Sequence, residues 1–378
     1  MQQIVTLPRG SLDPKMAPTG LLSTIEKQID VARTPDHGPD AFINTSSSWR
    51  PGVRGIFGGF AIAQSLRAAQ QTVREEFVAH SLHGSFVFAG TSDDSIVYHV
   101  ERVRDGRGFC TRSVRAIQGG NPVFICIISF TRARGSDTGI KDLQHCPPMP
   151  SNVPKPDDTY NGGGELQLPF INCSVGILNT NSQGGPENKR IHQWIKAVGP
   201  LSPSAGPQIH HTALAFMSDS YFLAGVPHSH EVWHFVNTPI SEFYPPPKGP
   251  STSTETHTSI RRPYLECPGV EPGSGERKVS MMVSLDHTMY FHNMEYLQAD
   301  EWLLSEIQSS WAGKGRGIVQ QRMWTKDGKL VGTCIQEVRI SKPLSKNIHP
   351  GDRKLADCAQ GVIRLDNGQA QRQKTSHL

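Results

Sequence analysis

The stretch that decides the fold is HSLHGSFVFAGTSDDSIVYHVERVRDGRGFCTRSVRAIQGGNPVFICIISFTRA, residues 80–133. It has a counterpart in VSLDHTMYFHNMEYLQADEWLLSEIQSSWAGKGRGIVQQRMWTKDGKLVGTCIQEVRIS, residues 283–341. Each stretch runs as strand, connector, long strand, Gly-containing turn, strand, polar turn and strand. The glycine-rich turn at 105–108 matches 313–317, and the turn at 119–122 matches 326–329. Such turns between β-rich runs are a hairpin signal, so the sequence predicts two antiparallel meanders built from one repeated unit.

A helix is predicted ahead of each meander. In FAIAQSLRAAQQTV, residues 60–73, an apolar stripe recurs at helical spacing after Gly58 and Gly59, formed by Ile62, Leu66, Ala69 and Val73. In HHTALAFMSDSYFLAGV, residues 210–226, Leu214, Met217 and Tyr221 share a comparable face. One long helix against one antiparallel sheet, repeated twice, is an α+β layered design.

Composition divides the chain into the following parts. The first unit spans 18–135, and a Pro-, Gly-, Asn- and Asp-rich linker covers 136–189. The second unit spans 190–341 and carries a surface insertion at 238–278, and a polar tail follows at 342–378. With 378 residues, two domains of ordinary size are expected.

Charge and cysteine content exclude several classes of function. The net charge is only +4 and the basic residues are scattered, so nucleic acid is not an expected partner. No apolar run approaches the ~18 residues that a membrane span needs. The seven cysteines are odd in number and form no Cys-x-x-Cys pair, which predicts reduced thiols in an intracellular protein. His-Glu-x-x-His occurs at 230–234, but the alternating residues around it predict a strand, so no metal site is expected.

The last three residues are Ser376, His377 and Leu378. This tripeptide is a close variant of the Ser-Lys-Leu peroxisomal address, and the tail before it is polar. The sequence therefore predicts a peroxisomal location, with the peroxisomal import receptor as a partner. Without a functional signal there, a cytoplasmic location is expected.

Several motifs occur together in a fixed order along the chain. They are FGGFAIAQSLRAAQQTV, HSLHGSFVFAG, VERVRDGRGFCTRSVRAIQGG, SLDHTMYFH, EWLLSEIQSS and GRGIVQQRMWTKDGKLVGTCIQE. In this combination the chain resembles the type II acyl-CoA thioesterases, the group of bacterial thioesterase II and the peroxisomal acyl-CoA thioesterases, over most of 54–134 and 190–341. The resemblance implies a tandem or double hotdog fold, in which two antiparallel sheets each wrap a long helix. It also implies a homo-oligomer that hydrolyses acyl-CoA to a free acid and CoA.

The resemblance further implies a catalytic trio of an acid, a hydroxyl and an amide that holds a water molecule. Carried onto this sequence, Asp286 is the acid, Ser310 the hydroxyl, with Ser309 adjacent as the alternative, and Gln336 the amide. A carboxylate can accept the proton of a water that the other two groups orient toward the thioester carbonyl. The reaction needs no cofactor, because CoA is part of the substrate and of the product.

Two further groups of residues are candidates for substrate contacts. Backbone N–H groups of Gly58 and Gly59, at a helix start, could stabilise the developing oxyanion, although close helix–sheet packing explains glycine there equally well. Basic residues at the matching glycine-rich turns could bind the CoA phosphates, or could simply be solvated: Arg104, Arg107, Lys314 and Arg316.

Two other functions remain open on the sequence. A hotdog hydratase or dehydratase normally carries an Asp and a His on or beside the helix, and here His210, His211 and Asp219 follow in the wrong order. A non-catalytic acyl-CoA binding protein would keep the fold without turnover. Release of free CoA from a panel of acyl-CoAs separates these functions from hydrolysis.

Overall fold

The computed structural model describes residues 22–47, 55–92, 94–133, 143–151, 153–156, 168–178, 184–230 and 281–341. The predicted insertion at 238–278 and the tail with Ser376, His377 and Leu378 lie outside these residues. The described part contains four α-helices and thirteen strands, and all the strands belong to one sheet.

The first half begins with a short helix and a two-stranded ribbon and continues with the first meander. Gly, Asn and Asp at the tight turns end the strands where the sequence predicts, with Gly119 and Gly120 at positive φ in the turn between β5 and β6. Its elements are α1 Thr24–Ile29, β1 Val31–Arg33, β2 Ala41–Asn44, α2 Gly58–Gln70, β3 Phe77–Phe86, β4 Val97–Asp105, β5 Phe109–Gln118 and β6 Asn121–Arg132.

The second half repeats this plan with a helix, a break and a second meander. Its elements are β7 Phe170–Leu178, β8 Arg190–Ala197, α3 Gln208–Met217, α4 Gly225–Ser229, β9 Met281–Ser284, β10 Asp286–Phe291, β11 Leu303–Gly313, β12 Arg316–Thr325 and β13 Leu330–Ser341. Strand β7 pairs with β8 at the edge of the sheet. The segment predicted as a linker at 136–189 therefore supplies a strand to the second half.

The two halves meet where the edge strand of one pairs with the edge strand of the other. The strand order is β1-β2-β4-β5-β6-β3-β10-β13-β12-β11-β8-β7, with β9 paired to the far end of β13. Antiparallel pairing of β3 with β10, for example Leu82 opposite Met289, makes one continuous sheet. The predicted α+β tandem of two hotdog units is confirmed, with the correction that their two sheets are joined edge to edge.

The helices α2 and α3 pack against each other inside the curve of the sheet. Gly59 near the start of α2 contacts Asp219 just past the end of α3, and Gln70 at the end of α2 contacts Thr212 in α3, so the two run antiparallel. Because α2 touches both the sheet and α3, it is buried on nearly all sides, where the sequence predicted a single apolar stripe. None of the helices in the described part of the chain has the length and apolarity needed to cross a membrane.

The outer face of the sheet differs between the halves. Over the second half, residues 143–151 and 153–156 lie on the sheet, and the indole N–H of Trp194 donates to the Pro154 carbonyl at 2.8 Å. Over the first half, Ile125, Ile127 and Phe109 remain exposed, with Ile127 53% accessible. The two units thus share their inner packing but not their outer covering.

Candidate active site

Gln336 on β13 is the centre of a buried polar cluster. Its side chain is fully buried, and its amide nitrogen donates to Asp219 Oδ1 at 2.5 Å and to His287 Nδ1 at 2.7 Å. Its amide oxygen accepts from Ser284 Oγ at 3.0 Å. Both polar atoms of this amide are therefore partnered, as a buried amide requires.

Asp219 follows α3 by two residues and faces the start of α2. Its Oδ2 accepts from the backbone N–H of Gly59 at 3.0 Å, and the positive end of the α2 dipole favours an anion there. Burial raises the pKa of Asp219 to about 6, while the hydrogen bonds from Gln336, Gly59 and Gly58 oppose that rise. The carboxyl group is thus ionised at neutral pH, yet it is far more basic than an exposed aspartate.

The geometry agrees with the close packing predicted for Gly58 and Gly59, while their oxyanion role stays a prediction. A Cβ on Gly59 would collide with the carbonyl oxygen of Phe216 in α3, and a Cβ on Gly58 would lie 2.6 Å from Asp219 Oδ2. Glycine therefore lets α2 approach the end of α3 closely. In the same arrangement the two backbone N–H groups point at the Asp219 carboxylate.

A β-bulge brings Ser284 and His287 to the same side of the sheet. Ser284 pairs with Val338, and Thr288 pairs with Ile335. Between these pairs, residues 285–287 lie opposite only two residues of β13, 336 and 337. One extra residue reverses the alternation of side chains, so both Ser284 and His287 reach the Gln336 amide.

Asp286, the acid predicted from the sequence, bonds to the backbone of β13 beside Gln336, and its catalytic role stays a prediction. Asp286 Oδ1 accepts from the backbone N–H of Glu337 at 2.6 Å. Burial raises the pKa of Asp286, and the bond from Glu337 opposes this. The structure brings Asp219 to Gln336 instead.

Ser310, the predicted hydroxyl, lies outside the cluster, and its catalytic role stays a prediction. Ser310 is exposed at an irregularity between Ser309 and Trp311 in the pairing of β11 with β12. The neighbouring Ser309 shares a row with Val319 and Gln336, two strand spacings or roughly 9–10 Å from Gln336. Its hydroxyl donates to the Ile318 carbonyl at 3.2 Å. Ser284 is the hydroxyl that contacts Gln336.

The four basic residues proposed for CoA phosphates lie on two different hairpins. Arg104 lies near the end of β4 and Arg107 in the turn that follows it, and β4 is four strands away from β10. Lys314 and Arg316 belong to the turn between β11 and β12, where Arg316 Nη1 contacts Glu337 Oε1 at 2.5 Å. By strand order only the second pair lies near Gln336, and phosphate binding by all four remains a prediction.

Within the described residues, no group of three or more His, Cys, Asp or Glu side chains is arranged to hold a metal ion. His230 of the His-Glu-x-x-His pattern follows α4, and the rest of that pattern lies outside the described residues.

Comparisons with known proteins agree on one family. Models of the acyl-CoA thioesterase N-terminal and C-terminal domains match residues 45–131 and 144–340. Acyl-coenzyme A thioesterase 8 of Mus musculus is 31% identical over 324 residues, which cover 79% of this chain and 85% of the relative. Peroxisomal acyl-coenzyme A thioester hydrolase 1 of Saccharomyces cerevisiae is 22% identical over 376 residues, covering 84% and 94%.

Solved structures resemble the fold as well. Acyl-CoA thioesterase II TesB2 from Mycobacterium marinum matches with a TM-score of 0.60 and 26% identity over 84% of this chain and 98% of that structure. A hot dog fold protein from Alicyclobacillus acidocaldarius matches with a TM-score of 0.52 at 17% identity, over 86% of this chain and all of its own length. The second match bears on the fold alone.

Proposed function

Because this chain belongs to the acyl-CoA thioesterase family, we propose that it hydrolyses acyl-CoA with a water molecule held by Asp219, Ser284 and Gln336. Hydrolysis of acyl-CoA thioesters is the activity that its relatives' names describe. The observation that carries the choice of residues is the Gln336 amide, which links the Asp219 carboxylate and the Ser284 hydroxyl in one buried cluster.

The hydrogen bonds define what each group offers to a water. The Ser284 hydroxyl donates to Gln336, so its oxygen has lone pairs left to accept a water proton. Asp219 is anionic at neutral pH, and its pKa near 6 makes it a stronger general base than an exposed aspartate. A water that donates to both oxygens keeps a lone pair for attack on the thioester carbonyl.

The reaction then balances without a cofactor. The water oxygen forms a bond to the carbonyl carbon while Asp219 takes one proton, and the carbon–sulfur bond breaks to release CoA as a thiolate. The proton held by Asp219 then passes to that thiolate, whose usual pKa of about 8.5 is well above that of the carboxyl group. The products are the free acid and CoA.

The oxyanion role of Gly58 and Gly59 requires one movement. Both N–H groups face Asp219 in this structure, so they stabilise the base. They reach the substrate oxygen only when the carboxylate moves off the helix start. During this step the CoA phosphates are proposed to contact four basic residues: Arg104, Arg107, Lys314 and Arg316.

A thiol-release assay with a matched pair of variants tests the proposal. Acyl-CoAs from acetyl-CoA to palmitoyl-CoA are incubated with the protein and a thiol reagent. We expect Asp219→Asn to lower kcat/KM on the order of 10³-fold, because it removes the base, and Asp286→Asn to stay within about threefold. Equal losses in the two variants would refute the assignment, and binding without thiol release would favour the non-catalytic alternative.

The cellular location and the oligomeric state are further parts of the proposal. The relative from Saccharomyces cerevisiae is named as peroxisomal, and we propose the same compartment here, with Ser376, His377 and Leu378 contacting the import receptor. A fluorescent fusion that keeps this tripeptide at its C-terminus should enter peroxisomes, and the same fusion without the tripeptide should not. The homo-oligomer implied by the resemblance is tested by light scattering of the purified protein.

A further inference from the structure

We propose that His287 is a positioning residue that fixes the orientation of the Gln336 amide through a one-way chain of hydrogen bonds from Ser218. This inference rests on the function proposed above, because it explains how Gln336 is kept ready for that reaction. His287 contacts neither Asp219 nor Ser284 directly, and its two ring nitrogens contact Gln336 and Ser218.

The direction of this chain of hydrogen bonds is set by a backbone carbonyl at its end. The Ala215 carbonyl can only accept, and Ser218 Oγ donates to it at 2.9 Å. The single hydroxyl proton of Ser218 is thereby used, so Ser218 Oγ must accept from His287 Nε2, which lies 3.0 Å away. The Cys334 thiol, which also contacts Ser218, can donate to the remaining lone pair of that oxygen.

The tautomer of His287 then decides the orientation of the amide. With its proton on Nε2, the ring has a bare lone pair on Nδ1, which accepts from the Gln336 N–H at 2.7 Å. The second N–H of the same amide points at Asp219, and the oxygen points at Ser284. A flipped amide would set its oxygen against both the Asp219 carboxylate and the Nδ1 lone pair, which are two acceptors.

The surroundings keep the ring neutral. His287 is fully buried, and its ring packs edge-on against Phe222 with centroids 5.7 Å apart. Burial lowers the pKa of His287 to about 3, so the imidazolium does not form at working pH. A charged ring would donate from both nitrogens and would turn the Gln336 amide away from Asp219.

The first test reads the tautomer directly and does not depend on turnover. Histidine is labelled with ¹⁵N in the full-length protein, and the His287 ring is assigned by the loss of its signals in His287→Asn. We expect a protonated Nε2 and a bare Nδ1 that do not change between pH 5 and 8. A proton on Nδ1 would overturn the proposal even if the enzyme hydrolyses acyl-CoA normally.

The second test compares two substitutions at the same position. Asparagine can present its side-chain oxygen where Nδ1 lies, whereas leucine fills similar space without an acceptor. With the acyl-CoA that wild type hydrolyses fastest, we expect His287→Leu to lower kcat on the order of 10²-fold at nearly constant KM, and His287→Asn to keep it within about tenfold. If the two variants lose the same activity, or if neither loses any, the acceptor has no role. Absence of turnover in wild type would instead count against the proposed function.

Discussion

The antiparallel pair α2 and α3 creates two similar junctions, one at each end, and only one of them carries reactive groups. At the first junction, the start of α2 meets Asp219, and Gln336 and Ser284 complete the cluster. At the second junction, the start of α3 meets the end of α2, and Thr212 Oγ1 donates to Gln70 Oε1 at 3.0 Å. The strand order is symmetric about the pairing of β3 with β10, so the two junctions occupy related places in the fold.

The difference between the junctions lies in charge. The second junction buries the neutral Gln70 amide and the Thr212 hydroxyl, and the half-buried Gln208 donates from Nε2 to the Phe77 carbonyl at 3.2 Å. A neutral hydrogen-bonded pair costs little to bury. The first junction buries a carboxyl group, which needs Gln336 and the N–H groups of α2 to remain ionised. The same helix packing thus holds the proposed reactive groups at one end of the helix pair and only stabilising contacts at the other.

After Asp219→Asn, the largest effect on this contrast is expected from Ser284→Ala. Loss of the hydroxyl removes one of the two acceptors for the water and frees the Gln336 oxygen, so kcat/KM should fall on the order of 10- to 100-fold. Because the buried Gln336 oxygen loses its donor, the free energy of unfolding should also fall by about 1–2 kcal/mol. Ser310→Ala is the matched control, because that side chain is exposed and outside the cluster. Thiol release measures both, and a larger loss in Ser310→Ala would restore the hydroxyl chosen from the sequence.

The acid limb of the pH profile should identify the base at the first junction. Burial raises the pKa of Asp219 to about 6, and protonation removes the base, so kcat/KM should be level above that pH and fall about tenfold per unit well below it. Asp286 also has a pKa raised by burial, which makes Asp286→Asn the informative control. If the limb moves in that variant, Asp286 rather than Asp219 is the titrating group.

Gly59→Ala tests how much the close packing of α2 against α3 contributes to stability. The added methyl group would meet the Phe216 carbonyl, a backbone atom that cannot rotate away, so α2 and α3 must shift apart. Such overpacking costs about 1–3 kcal/mol in the free energy of unfolding, measured in urea. An unfolding midpoint equal to that of wild type would show that the helices do not need their close approach here.

Thr212→Val at the second junction is expected to have the smallest effect. It leaves Gln70 Oε1 without its donor and should lower the free energy of unfolding by about 1–2 kcal/mol. Because the second junction lies at the far end of the helices, kcat/KM should remain within about twofold of wild type. A large loss of turnover in this variant would mean that the second junction also serves the reaction.

Local sequence signals predicted most of the fold. Turn residues located the hairpins of both meanders, and propensity located α2, because these signals act over a few neighbouring residues. The pairing of β3 with β10 was not predicted, since it joins strands about 200 residues apart and no turn marks it. Packing against α3, which is also distant in sequence, explains why α2 is buried on nearly all sides.

The site was only partly predictable. Gln336, the predicted amide, lies at the centre of the cluster, while strand alternation gave no sign of the extra residue at 285–287, and Asp286 bonds to the Glu337 backbone instead of to Gln336. Asp219 lies in the polar run Ser218–Ser220, which reads as an ordinary helix end. Its importance depends on Gly59, 160 positions earlier, and one sequence cannot show that contact.

The seam between β3 and β10 has a consequence for how such a molecule can change over time. Two identical subunits would have to repeat every side chain at both junctions, and would carry a desolvated carboxylate at each. A single chain with two unlike copies can keep the desolvated carboxylate at one junction and place neutral side chains at the other. The second junction is then free to evolve toward stability, while the first retains the reactive groups.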